Sequence, residues 1–181
     1  MYFKEYLQIT IRSQSINMKL RNIKASFFFD ENFLEKKVGI EKNIFKQRSV
    51  TYTVYRHTPN LLNVTGLKSL AKLESEIFEI ENYFKQPIIR ARIDSIFFSE
   101  KNNMCIDFKL IEMFLKHHDK FMVSYHQELF NGMHLLPKDK KYPTIGLFSS
   151  GSFTMMGSKC MSSIIESETL IHFLIDKFNQ F

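Results

Sequence analysis

The sequence predicts an α+β protein of two pseudo-symmetric halves that share one antiparallel sheet, with helices along one face and the other face open. Three observations predict it. First, VYRHTPNLLNVTGLK (54–68) and LFSSGSFTMMGSK (147–159) both read strand, turn, strand, Gly-x-Lys, with an aromatic before each turn. Second, Thr65-Gly66-Leu67-Lys68 and Met156-Gly157-Ser158-Lys159 align at one offset, the signature of an internal repeat. Third, each Gly-x-Lys opens a run whose apolar residues recur at helical spacing.

The first half, residues 1–88, starts with a strand at Leu7–Ile11, followed by a helical face carrying Met18, Leu20 and Ile23. Val50 to Tyr55 alternates bulk and hydroxyl, as a half-buried strand does. HTPN (57–60) turns the chain, and Leu61 to Thr65 returns. Leu70, Leu73, Ile77, Ile80 and Phe84 then line one face of a helix that Ser69 can cap. The second half, 89–181, repeats the plan. It has a strand at Arg92–Phe97, a helix carrying Phe108, Ile111 and Leu115, a hairpin of Thr144–Phe148 and Phe153–Met156 about SSGS, and a final helix from Met161 to Phe178. The first hairpin's turn reads as the longer by two residues.

Composition sets the class. The chain has 181 residues, 44% of them hydrophobic, enough for a sizeable core and too many for disorder. No apolar run approaches the roughly 18 residues of a membrane span, and MYFKEYLQITIR is too charged for a signal peptide. Cys105 and Cys160 offer no disulfide framework and no metal spacing. The net charge is +6; residues 1–90 carry 15 basic against 9 acidic residues, and the rest carry 10 of each. That excess permits nucleic-acid binding without requiring it. Nineteen Phe and no Trp, in a Lys- and Ile-rich chain, suggest an AT-rich gene.

Phe45 (NIFKQ) and Phe130 (ELFNG) precede the two hairpins, and Tyr55 and Phe148 stand within them. On the residues alone, these four aromatics are either an exposed interaction surface or ordinary core. YHQELFNG followed by GLFSSGSFTMMGSK resembles the second repeat of the TATA-box-binding protein (TBP) family, and VYRHTPNLLNVTGLK resembles the matching hairpin of its first repeat. The resemblance is specific over residues 125–159 and looser over 50–84.

The resemblance implies a saddle whose sheet sits on a widened minor groove, with two pairs of aromatic wedges kinking the duplex. By match, Phe130 and Phe148 form one pair and Phe45 and Tyr55 the other. Lys68, Lys159 and Ser150 match phosphate contacts, which position a protein without reading sequence. Asn63, Thr65, Phe97, Thr154 and Met156 fall among the groove-facing residues, with Thr53 and Gly146. Asn63 and Thr154 replace the family's valines. Ile9 and Ser95 stand where it has a pair of asparagines, unless Asn22 takes the first place in a shorter alignment. Minor-groove readout is mainly A·T against G·C, so the expected target is A·T-rich, deformable duplex. Glu128 and Leu129 match the loop that docks a TFIIB-type factor, which brings in the RNA polymerase machinery indirectly. The helix after Lys68 carries Glu74, Glu76, Glu79 and Glu81 where the family is basic, which disfavours partners that expect positive charge there.

The implied function is promoter binding in transcription initiation, with no cofactor, no metal and no membrane. The implied location is the nucleus, or a host nucleus or cytoplasmic virus factory for a large DNA virus, and not the outside of the cell. The rival reading is an interaction module that keeps the TFIIB-type contact with little or no DNA binding. An enzyme is not expected: SSGS lacks the hydrolase elbow, no phosphate-binding Gly-rich motif occurs, and His117-His118-Asp119 reads as a solvated helix end.

Overall fold

Alternation at period two sets the first described strand. Ile23, Ala25, Phe27 and Phe29 are all buried, with exposed or half-buried residues between them apart from Ser26. The chain here is described by a computed structural model, which covers residues 18–30, 33–34, 43–47, 49–55, 57–126, 128 and 130–180, with 43–47 and 180 by backbone alone. Strand β1 runs Lys19–Phe28. This overturns the helical reading of Met18, Leu20 and Ile23. Those three residues fit a helical face only by spacing, whereas Ala25 and Phe27 pair across a ladder with Val64 and Leu62. The expected strand at Leu7–Ile11 lies outside the described residues.

The described residues divide into two compact units, 20–95 and, together with Met18 and Lys19, 96–180. In the first, β2 (Asn43–Gln47), β3 (Val50–Tyr55) and β4 (Thr58–Leu67) follow β1. The order is β2-β3-β4-β1, with β5 beside β1. Tyr55 pairs with Thr58, so Thr58, Pro59 and Asn60 of HTPN already belong to β4, and this connection is the shorter of the two hairpin turns. Pro59 is compatible with a strand where its missing N–H is not needed, and Asn60 O accepts from Phe29 N at 2.9 Å. Helix α1 (Leu70–Phe84) is capped by Ser69, whose Oγ accepts from Lys72 N at 3.0 Å. Leu73, Ile80 and Phe84 of α1 are buried, as are Tyr52, Val54, Leu62 and Val64 on the strands. Each such full burial contributes about 1.5–3 kcal/mol.

Strand β5 (Arg90–Glu100) crosses the boundary between the units. In the second unit it is followed by β6 (Cys105–Ile106), α2 (Phe108–Leu115), β7 (Phe121–Tyr125), β8 (Gly132–Pro137), β9 (Thr144–Phe148), β10 (Phe153–Met156), α3 (Met161–Phe178) and β11 (Asn179–Gln180). The sheet order is β5-β10-β9-β8-β7, antiparallel wherever the register is given, and β11 pairs with β6. Asp107 caps α2, with Oδ1 accepting from Lys109 N at 2.8 Å. Phe108, Ile111 and Leu115 are buried, as are Ile164, Ile171, Leu174 and Ile175 of α3. The strands contribute Phe121, Met133, Leu135, Ile145, Leu147, Phe153 and Met155 to the same core. The fold is thus α+β, antiparallel strands with helices over their apolar side. Among the described residues no helix is long and apolar enough to cross a membrane.

Candidate nucleic-acid interface

In each unit, the strand residues that alternate with the core make up the other sheet face. In the second unit the ladder brings this face together in rows. Met156 is paired with Phe97 and with Thr144, and Thr154 with Ser99 and Gly146. Gly146 is paired in turn with His134, and His134 with Ser124. Directly opposed residues share a face. Phe130 and Phe148 are half-buried, with ring centroids 5.5 Å apart and planes at 59°. The Phe130 ring also lies 4.3 Å from that of His134. Gly132 makes room for it: a Cβ there would lie 2.6 Å from the Phe130 ring and 2.8 Å from Leu147 O. Met156 is 46% exposed and Met122, on the edge strand, 51%. The face is therefore mixed, with aromatic rings and exposed methionines set among Ser99, Ser124, His134, Thr144 and Thr154.

The turn after Phe148 is tied down from both sides. Gly151 holds φ +72, Ser150 Oγ donates to Ser152 Oγ at 3.0 Å, and Ser152 Oγ donates to Asn102 O at 2.9 Å. Gly157 at φ +93 ends β10 and delivers exposed Lys159 ahead of α3. Gly66 at φ +94 stands one residue before the end of β4, with exposed Lys68 following ahead of α1. A positive φ favours glycine, which accounts for one residue that the two copies share. Glu128 is exposed just before Phe130, and Leu129 lies outside the described residues.

The first unit's face has a different chemistry. Thr51 pairs with Thr65, and Thr53 with Asn63. Tyr55 is 37% exposed and stacks on His57, centroids 5.7 Å apart. Asn63, by contrast, is buried. Its Oδ1 is 3.4 Å from Ser26 Oγ, and its Nδ2 donates to Thr53 O at 3.5 Å. Ser26 donates to Asp94, whose other oxygen accepts from Arg92 Nε at 2.7 Å. Arg92 and Arg90 lie over the Phe28 ring, 5.4 and 5.6 Å from its centroid. In the β2–β3 ladder Ile44 is opposite Thr53 and Phe45 is opposite Tyr52, so the backbone position across from Thr53 is Ile44. Ile9 lies outside the described residues. Asn22 lies on β1, where its Oδ1 accepts from Gly66 N at 2.7 Å, while Ser95 lies on β5.

Sequence reasoning missed Phe28, Arg90, Arg92, Asp94 and His134. The alternation of RARID carried the signal for three of them, and the reassigned β1 accounts for Phe28. The acidic helix also changes character. Glu76 is buried against Tyr52 and Lys72, with Lys72 Nζ 2.6 Å away, and Glu81 Oε1 accepts from Ile88 N at 2.8 Å. Of the four glutamates only Glu74 and Glu79 are exposed, and Glu79 lies 3.7 Å from Lys72.

No family model matches the chain, and no curated protein matches it in sequence. Solved structures do match. The TBP of Methanococcus jannaschii superposes with a TM-score of 0.65 at 16% identity, over 88% of this chain and 98% of that one. The TBP-like fold is thus shared.

Proposed function

We propose that the protein is a TBP-like initiation factor that binds and bends A·T-rich promoter DNA through the minor groove and recruits a TFIIB-type factor. The observation that carries this reading is the half-exposed Phe130–Phe148 pair on the second unit's open face, five and a half ångströms between centroids, with exposed Lys159 nearby in sequence. Such rings can enter a base step and unstack it, and flexible pyrimidine–purine steps yield at least cost. Phe97, Thr154 and Met156 then meet the groove floor. Tyr55 and Thr65 act in the first unit, where the burial of Asn63 takes it out of direct contact, with Lys68, Lys159 and Ser150 on phosphates. Glu128 and Leu129 are the proposed TFIIB-type contact.

A second reading, an interaction module with weak DNA binding, is favoured by Asp94. It adds a carboxylate to the first unit's face, where it pairs with Arg92 and so takes up a cation that phosphates would otherwise attract. Circularly permuted A·T-rich duplexes, run by gel mobility, separate the two. The first reading expects bending, loss of about 30-fold in affinity for Phe130→Ala or Phe148→Ala, and a salt slope lower by about 1 for Lys159→Ala. Unchanged affinity in both Phe variants refutes it.

A further inference from the structure

Away from the open face, α3 packs over the end of β5 and brings three metal-ligating side chains together. Glu168 and His172 stand at i and i+4 on α3, one above the other on the same side. Glu100 is the last residue of β5. One ligand atom from each lies within 4.8 Å of the others. His172 Nε2 is 3.1 Å from both oxygens of Glu100. Asn102 Nδ2 donates to Glu100 Oε1 at 3.2 Å, and the Phe153 ring meets the imidazole edge-on, 5.7 Å between centroids. Glu168 is only 7% exposed, and the Glu100 side chain 11%.

We propose that Glu100, Glu168 and His172 bind one divalent transition ion of the zinc class. Charge is the first argument. Two carboxylates enclosed together are costly unless neutralised. A dication held between them offsets that cost. Geometry is the second. Tetrahedral ligands at about 2.0–2.2 Å from zinc stand roughly 3.3–3.6 Å apart. The His172–Glu100 pair is already close to that, and Glu168 closes the remainder by rotating a flexible side chain. The donor set is the third: an imidazole nitrogen selects zinc-class ions over magnesium and calcium, which prefer all-oxygen shells. His172 is 34% exposed, which gives the ion an entry path and leaves a coordination position open to water. The ion would fasten α3 to the sheet end.

The full chain, stripped with chelator, is titrated with Co²⁺ by visible absorption and with Zn²⁺ by calorimetry. One equivalent is expected to bind. The melting temperature should rise by roughly 5–10 °C at zinc a hundredfold above its dissociation constant. His172→Ala and Glu168→Gln are each expected to weaken binding about a hundredfold. His117→Ala/His118→Ala is expected to leave it unchanged. If Glu168→Gln does not fold, Glu100→Gln takes its place, with the same expected loss. Wild-type binding no tighter than that of His172→Ala overturns the proposal, as does binding that vanishes in the His117/His118 variant.

Discussion

Gly66 and Gly157 share a backbone conformation and differ in their surroundings, so they separate two costs of adding a methyl group. Their φ values are +94 and +93. Alanine at either position must hold a left-handed backbone, which costs about 1–2 kcal/mol. At Gly157 nothing lies within 4 Å of the added Cβ, so the cost ends there. At Gly66 the Cβ would lie 2.2 Å from Ser49 O and 3.3 Å from Val50 Cα, both backbone atoms at the start of β3. Relief requires β3 to shift against β4, close to the Thr51–Thr65 pair. Overpacking of this kind adds about 1–3 kcal/mol. Gly66→Ala is therefore expected to cost about 2–5 kcal/mol in total, and Gly157→Ala about 1–2 kcal/mol. Urea unfolding measures both. Equal costs, or a costlier Gly157→Ala, would refute the reasoning.

Two further outcomes follow from close contacts. Gly132→Ala should push the Phe130 ring off its seat at a cost of about 1–3 kcal/mol, seen as altered ring-proton shifts of Phe130 and Phe148 by NMR. Tyr52, desolvated and bonded to Glu76, has its pKa raised from 10.0. The unfolded chain therefore loses that proton first as pH rises, so the contribution is complete below pH 10 and is lost above it. Unfolding midpoints measured above pH 10 should fall less steeply for Tyr52→Phe than for the wild type; parallel curves would count against the assignment.

The second unit was the more legible in sequence because its signals agree. Thr144–Phe148 and Phe153–Met156 alternate cleanly, and SSGS contains the glycine that its turn requires at φ +72. The first unit misleads for physical reasons. Proline and asparagine in HTPN are turn formers, yet there they continue β4, where ladder demands are light. Met18, Leu20 and Ile23 mimic a helical face because the three-residue step from Leu20 to Ile23 breaks the period of two, which becomes regular only from Ile23 through Ala25, Phe27 and Phe29. Of the candidate site, the Phe130–Phe148 pairing was legible from ELFNG and GLFSSGSF. The Arg92–Asp94–Ser26 network was not, since it joins β5 to β1, the strand whose position the sequence reading misplaced.

The open face of the second unit also governs how the protein ages. Met122 and Met156 are about half exposed there, while Met133 and Met155, on the strands of the same sheet but facing the core, are fully enclosed. Peroxide therefore reaches the first pair and spares the second. Each sulfoxide formed turns an apolar patch polar without touching the core. A preparation can thus keep its circular dichroism and its melting temperature while its surface chemistry drifts. For this chain, methionine oxidation by mass spectrometry is a better index of sample quality than any measure of folding.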